Sequence, residues 1–460
     1  MNAIVFSAVY GVIMMFAGIL VKQAGIIRSL GLAGFAGLVL VTLLEMGGIR
    51  LVPFDLKGML LIDTYSLVFM GLMYMITFYY LLLSGGELEK VGSHAADYLA
   101  LLFFISAGVA IIASFYNLLM LFLGIEIISI PLYILSGADK RNLKSNEASL
   151  KYLLMGAFST GLMLMGVALI YGSSGSFSVD MLVAGKKELT PMMASGLLLL
   201  LFSMSFKVSA APFHFWTPDV YDGAPTVFTG YMASVVKAAA FIAFFRLFNE
   251  GFGMFHGQWQ LLAAIIAAAT LLFGSITAVF QQSVKRMMAY SSIAQAGFMM
   301  LALVALNTRA QEGMIFYVCV YCLATIGFFS TLLRMKDYTF EGFNGLGKRD
   351  PLVAYATLVF LLSLAGIPGT AGFIAKFYLL AATIEHGKML WLVILAVLCA
   401  AVGIYYYFRV VQAMFFKSPD GAETLPLNGR FRILLLLLAA VIIVLGIFPQ
   451  LLIDRIYLVF

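Results

Sequence analysis

Charge is what this 460-residue chain has least of: Lys, Arg, Asp and Glu make up only 11% of it. Soluble domains carry about 25%, so a water-soluble enzyme is excluded, and so is a disordered chain. Cysteine is almost as scarce. Cys319, Cys322 and Cys399 all sit in apolar runs, which excludes a disulfide framework. Cys319-Val-Tyr-Cys322 has CxxC spacing but no second pair, and an iron–sulfur cluster needs four ligands. These cysteines read as packing residues, and no redox centre is visible. Long polar stretches are missing too: the largest are 137–151, 173–191, 335–351 and 417–431, none a domain. The first apolar run lacks a positive leader and reads as a retained span rather than a cleaved signal.

What is abundant is apolar sequence, 63% hydrophobic with a mean hydropathy of +1.03. A membrane-spanning helix needs about 20 apolar residues. The runs predict an all-α polytopic membrane protein with spans near 4–21, 29–48, 60–83, 98–114, 116–136, 152–172 and 192–217. Seven more fall near 226–248, 259–280, 287–306, 312–334, 352–382, 388–416 and 432–453, about fourteen in all. The net charge of +6 then reports loop topology, not a nucleic-acid surface. With connections numbered alternately from the N-terminus, the first side holds eight basic residues and the second seventeen. Basic loops stay in the cytoplasm, so both termini are expected on the non-cytoplasmic side.

Two of these spans are interrupted. One meets Ala211-Pro212-Phe213-His214-Phe215-Trp216-Thr217-Pro218, the other Gly366-Ile-Pro368-Gly369-Thr-Ala-Gly372. Broken backbone at membrane depth survives only where protein or a water-filled cavity covers it. Gly/Pro-interrupted spans at matching places in two halves point to a transport site between repeats; a pair of kinked structural helices is the alternative. They are the seventh and twelfth spans, five apart, so two inverted five-helix units at 98–248 and 259–416 would each own one break. A three-helix segment (1–97) would precede them, and a loop with the last helix (417–460) would follow.

Three lysines and one carboxylate fall well inside spans, away from their ends: Lys207 before the first break, Lys237 mid-span, Lys376 after the second break, and Glu126 mid-span. Each charge there costs about 2.5–3.5 kcal/mol. Burial favours a neutral lysine and a nearby carboxylate a charged one, so a Lys–Glu pair of variable separation is a proton switch. These groups are spread over at least four helices, which reads as a relay better than as one substrate cage. His214 is either a further relay member or a structural donor to freed carbonyls. Ser291, Ser292 and Gln295 either hold water or join helices. Lys285-Arg286 at a helix end reads as topological, and Asp219 and Asp222 as lining an entrance.

The stretch Phe206-Lys207-Val-Ser-Ala-Ala-Pro212-Phe-His214-Phe-Trp216-Thr-Pro218-Asp219-Val-Tyr221-Asp-Gly223-Ala-Pro225 resembles the signature of the antiporter-like subunits of respiratory complex I. The Pro-Asp-Val-Tyr-x-Gly-Ala-Pro form is similar to the subunit N (subunit 2) branch. Glu126-Ile-Ile-Ser-Ile-Pro-Leu-Tyr133, Lys285-Arg286-Met-Met-Ala-Tyr-Ser-Ser-Ile-Ala294 and Gly366-Ile-Pro368 through Tyr378 also fit, together covering most of 115–415. The resemblance implies fourteen helices, inverted repeats and a bacterial inner-membrane proton translocase within an NADH-quinone oxidoreductase. It further implies no cofactor in this chain, with NAD, FMN, iron–sulfur clusters and quinone in partner subunits. Residue by residue, Glu126 and Lys207 would form an ion pair, Lys237 would be the central relay lysine, and Lys376 would exchange protons with the outside. Many relatives carry histidine where this chain has Gln295, which can only orient water. A subunit of a multi-subunit cation/proton antiporter, or of a ferredoxin- or hydrogen-oxidising membrane complex, remains an alternative.

Overall fold

A computed structural model describes residues 1–52, 56–92, 94–182, 188–385, 387, 389–419 and 428–457. Lys186, Lys187, Lys388, the side chain of Arg455, and parts of the stretches 173–191 and 417–431 lie outside the described residues. Among those described there is no β-strand, only three isolated bridges between loops. Twelve helices are long and apolar enough to cross a membrane. They are α1 (Asn2–Leu20), α2 (Ala24–Met46), α3 (Thr64–Val91), α4 (Ala95–Ser114), α5 (Leu118–Ser136), α6 (Leu143–Ser174), α9 (Thr226–Gly251), α10 (Gly253–Val279), α11 (Val284–Ala305), α12 (Thr308–Leu332), α15 (Leu390–Phe416) and α16 (Gly429–Ile447). Between them lie α7 (Pro191–Lys207), the short α8 (Trp216–Gly223), α13 (Pro351–Ala365) and α14 (Ala371–Ile384).

Seven of these helices are started by a side-chain cap. Asn117 accepts from the Leu119 amide at 2.8 Å to start α5, three residues after α4 ends. Asp63, Asn142, Thr190, Ser283, Asn307 and Asp350 do the same for α3, α6, α7, α11, α12 and α13. Each side chain satisfies an amide that the first turn leaves unpaired. Asn142 also explains why α6 begins nine residues before the expected 152: the polar turns Leu143–Lys151 are helical, outside the apolar run.

The layers follow burial. Of the most apolar window in α9, α11 and α12, 94% is buried within the chain, against 22% in α1 and 28% in α16. The first three form the core and the last two the rim. Where helices touch, small residues let backbones approach. A Cβ on Gly274 of α10 would sit 2.4 Å from the Ala294 amide nitrogen of α11.

Loops join in two sets. At one end Arg246 pairs with Asp63 at 3.0 Å, Leu61 N donates to Ser114 O, Leu118 N to Phe177 O, and Asn307 to Glu385. At the other, Arg334 pairs with Glu87 at 2.6 Å, Lys285 bonds Asp222 O, and Arg432 pairs with Asp350 at 2.7 Å.

Candidate functional site

The first break starts where α7 ends at Lys207. Ser209 adopts φ +64, Ala211-Pro212 is cis, and α8 resumes at Trp216. The freed backbone groups are covered by protein, as membrane depth requires. Ala211 N donates to Thr270 Oγ1 of α10 at 2.8 Å, and Trp216 Nε1 to Phe206 O at 3.1 Å. Lys207 Nζ reaches Ser129 Oγ at 3.1 Å on α5 and Thr160 Oγ1 at 3.4 Å on α6. The same Thr160 hydroxyl donates to Glu126 Oε1 at 2.8 Å. Glu126 and Lys207 therefore meet through a hydroxyl. No direct ion pair between them within 4 Å occurs among the described residues. Neither Thr160 nor Ser129 was singled out from the sequence, although Ser129 stands one helical turn from Glu126.

Lys237 is buried at 2% exposure in α9, directly after a π-helical turn over Met232–Val236. Such turns recur at functional sites because they interrupt the regular ladder. Here Tyr321 of α12 donates to the Ala233 carbonyl within that turn, at 2.6 Å. Lys237 Nζ donates to both oxygens of Ser292 on α11, Oγ at 2.9 Å and the carbonyl at 3.1 Å, and stands 5.7 Å from the Tyr221 ring centre.

At the second break α13 ends at Ala365, with Gly366 at φ +83. Lys376 of α14 turns back and donates to the Leu364 and Ala365 carbonyls at 2.9 and 2.8 Å, satisfying acceptors that a helix C-terminus leaves open. A Cβ on Gly372 would stand 1.8 Å from Ser363 O, so the two half-helices touch there. Gln295 Nε2 shares the Leu364 carbonyl at 2.8 Å and reaches Tyr407 Oη at 3.2 Å; Tyr317 donates to Gln295 Oε1, and Ser291 bonds Tyr407. A small cavity lies against Gln295, Tyr317, Ser363 and Lys376. One face of α11 (Ser291, Ser292, Gln295) thus carries a polar seam with Lys237 at one end and Lys376 at the other. Tyr317 and Tyr407 of that seam lie in apolar runs and left no signal in the sequence.

The remaining candidates fall elsewhere. His214 is buried against Phe215 and Phe273, its Nδ1 without a hydrogen-bond partner among the described residues. Asp219 pairs with Lys151 at 2.7 Å and Arg286 at 2.9 Å, and Asp222 lines a polar cavity. Lys285, read from the sequence as topological, is buried at 4% exposure and holds two carbonyls at the end of α8. Among the described residues no group of three or more His, Cys, Asp or Glu side chains is placed to hold a metal ion.

Residues 115–420 match the family described as NADH:quinone oxidoreductase/Mrp antiporter, TM. The chain is 37% identical over 461 residues to NADH-quinone oxidoreductase subunit N of Cytophaga hutchinsonii, covering 99% of both chains. It is 36% identical to the subunit of the same name from Desulforamulus reducens, covering 92% of this chain and 90% of that one. Among solved structures it is similar to a chain of respiratory complex I from Thermus thermophilus with bound Aureothin (TM-score 0.85, 32% identity, 98% of each chain). A chain of the Mrp complex from Dietzia sp. DQ12-45-1b shares the fold at a TM-score of 0.84, with 20% identity, 99% of this chain and 95% of that one.

Proposed function

Because this chain belongs to the NADH:quinone oxidoreductase/Mrp antiporter membrane family, we propose that it is the subunit N-type proton-translocating subunit of a bacterial inner-membrane NADH-quinone oxidoreductase. Electron transfer takes place in partner subunits, which hold the NAD, FMN, iron–sulfur and quinone sites. The observation that carries the reading is three polar clusters: half-buried Glu126 and Lys207 joined through Thr160, buried Lys237 on Ser292, and buried Lys376 beside the Gln295 seam of α11. Full-length likeness to proteins named subunit N favours this partner set over an antiporter assembly, whose likeness extends to the fold alone.

Counting α7 with α8 and α13 with α14 as single broken spans gives fourteen crossings. The two separate sets of loop contacts agree with that alternation. The basic excess then assigns the end holding Lys144, Lys285 and Arg286 to the cytoplasm, and both termini to the opposite side. Two inverted units, 98–248 and 259–416, follow from an odd number of crossings in each.

The chemistry needs no cofactor in the chain. Lys207 holds a proton against Ser129 and Thr160 while the Glu126 carboxylate, one hydroxyl away, balances it. Lengthening that contact releases the proton towards Lys237. Lys237 passes it along water oriented by Ser291, Ser292 and Gln295, and Lys376 takes it up beside the second break. His214 stays outside this line and acts in packing. Mild detergent extraction of the tagged chain, a native gel and an NADH-oxidation stain test the assignment. The tag should run in a large assembly that oxidises NADH; a large assembly without that activity would contradict it.

A further inference from the structure

The relay lysines share a hydrogen-bonding pattern that extends to one more residue. Lys207 holds two hydroxyls, Lys237 the two oxygens of Ser292, and Lys376 two consecutive carbonyls. An ammonium carries three N–H donors and a neutral amine two. Two acceptors are thus satisfied in both protonation states, and a proton can leave without orphaning a buried polar group. Lys285 repeats the pattern. Its Nζ donates to Asp222 O at 2.9 Å and Ala224 O at 2.7 Å, carbonyls left open where α8 ends before Pro225.

Its surroundings differ from those of a plain helix cap. A polar cavity of about 690 Å³ reaches Lys285 and is lined also by Asp139, Lys144, Asp222, Thr226 and Thr339. The groups facing the amine are Asp222, the Lys144 side chain from α6 and the Tyr338 ring at 5.5 Å. On its inner side, Lys285 and Ser292 are seven residues apart on α11, hence on one face and ~10 Å apart along the axis. Ser292 holds Lys237, and the Tyr221 ring under Lys237 belongs to the residue before Asp222.

We propose that Lys285 is the uptake residue that carries protons from the cytoplasmic cavity to Lys237. The inference rests on the reading of this chain as a proton translocator. A hydronium in the cavity gives its proton to the neutral Lys285 amine: a new N–H bond forms as the hydronium O–H bond breaks, leaving water. Another Lys285 proton then leaves towards Lys237 through water beside Ser292, and the amine is neutral again. Both carbonyls keep a donor throughout.

The test uses the assembled complex and two variants that preserve the cap. Lys285→Gln offers two amide N–H donors and no titration, and Lys285→Arg offers donors that stay protonated at physiological pH. Proton pumping per electron from NADH should fall about tenfold or more in both while the native-gel band persists. Normal pumping in either assembled variant would overturn the proposal, because a cap alone is preserved by both. Should neither assemble, Thr339→Cys places a thiol at the cavity, the chain's own cysteines being buried. A bulky cytoplasmic thiol reagent should then block pumping, and unimpeded pumping would overturn the proposal. Lys237→Met is measured in parallel. If it too leaves pumping intact, the translocator reading fails; if it alone abolishes pumping, only the uptake assignment fails.

Discussion

At the first break the lysine keeps a carboxylate one hydroxyl away; at the second it keeps none. Lys207 reaches Glu126 through Thr160, whereas Lys376 is held by the carbonyls of Leu364 and Ala365, a helix end that supplies partial negative charge only. No salt bridge to Lys376 or Lys237 occurs among the described residues. In the proposed relay the two halves then do unlike work on a shared plan: a movable charge pair suits a side that senses a conformational change, and fixed dipoles suit a side that hands a proton on. The packing differs as well. The half-helices around the second break touch at Gly372, whereas at the first break the gap is spanned by an acceptor on α10, Thr270 Oγ1, and by the Trp216 Nε1 donor.

The largest effect that separates the two breaks is expected from Gly372→Leu. Its side chain must displace Ser363 O, costing about 3 kcal/mol, and the assembled complex should disappear from native gels of membranes. Next, Lys376→Gln keeps donors for both carbonyls and removes the titrating group. Pumping should fall at least about tenfold with the amount of complex unchanged, as read by the pumping rate in inverted vesicles beside the gel band. Thr160→Val removes the hydroxyl between Glu126 and Lys207, worth about 1–2 kcal/mol. Coupled turnover should drop several-fold and recover in Thr160→Ser, and an equal loss in the serine variant would show that shape rather than the hydroxyl matters. The smallest effect is expected from Gln295→His, which retains a donor and an acceptor in the α11 seam. NADH-driven pumping at neutral pH should stay within about twofold, whereas Gln295→Leu should impair it clearly.

Hydropathy alone located most of the helices, since each apolar run of about 20 residues had one solution in lipid. The boundary between α4 and α5 at Ser114–Asn117 was readable because Asn117 is both polar and a cap. The early start of α6 was not, because its first turns are polar and only the Asn142 cap marks them. Glu126, Lys207, Lys237 and Lys376 were visible because charge is rare in such a chain. Thr160, Tyr317 and Tyr407 were invisible, being common in apolar helices and meaningful only through the partners that the fold brings to them. The burial of Lys285 was not legible for a related reason. This residue stands near a helix N-terminus, where lysines usually report topology, and only the fold lays the end of α8 over it.

The most direct test of the central claim is Lys237→Met in the intact complex, with proton translocation and NADH oxidation recorded together in inverted membrane vesicles. Methionine keeps most of the volume and removes the titrating group that bonds Ser292. Pumping should be lost or strongly reduced, with coupled turnover impaired and assembly retained. A variant with the wild-type ratio of protons to electrons and the wild-type rate would contradict it.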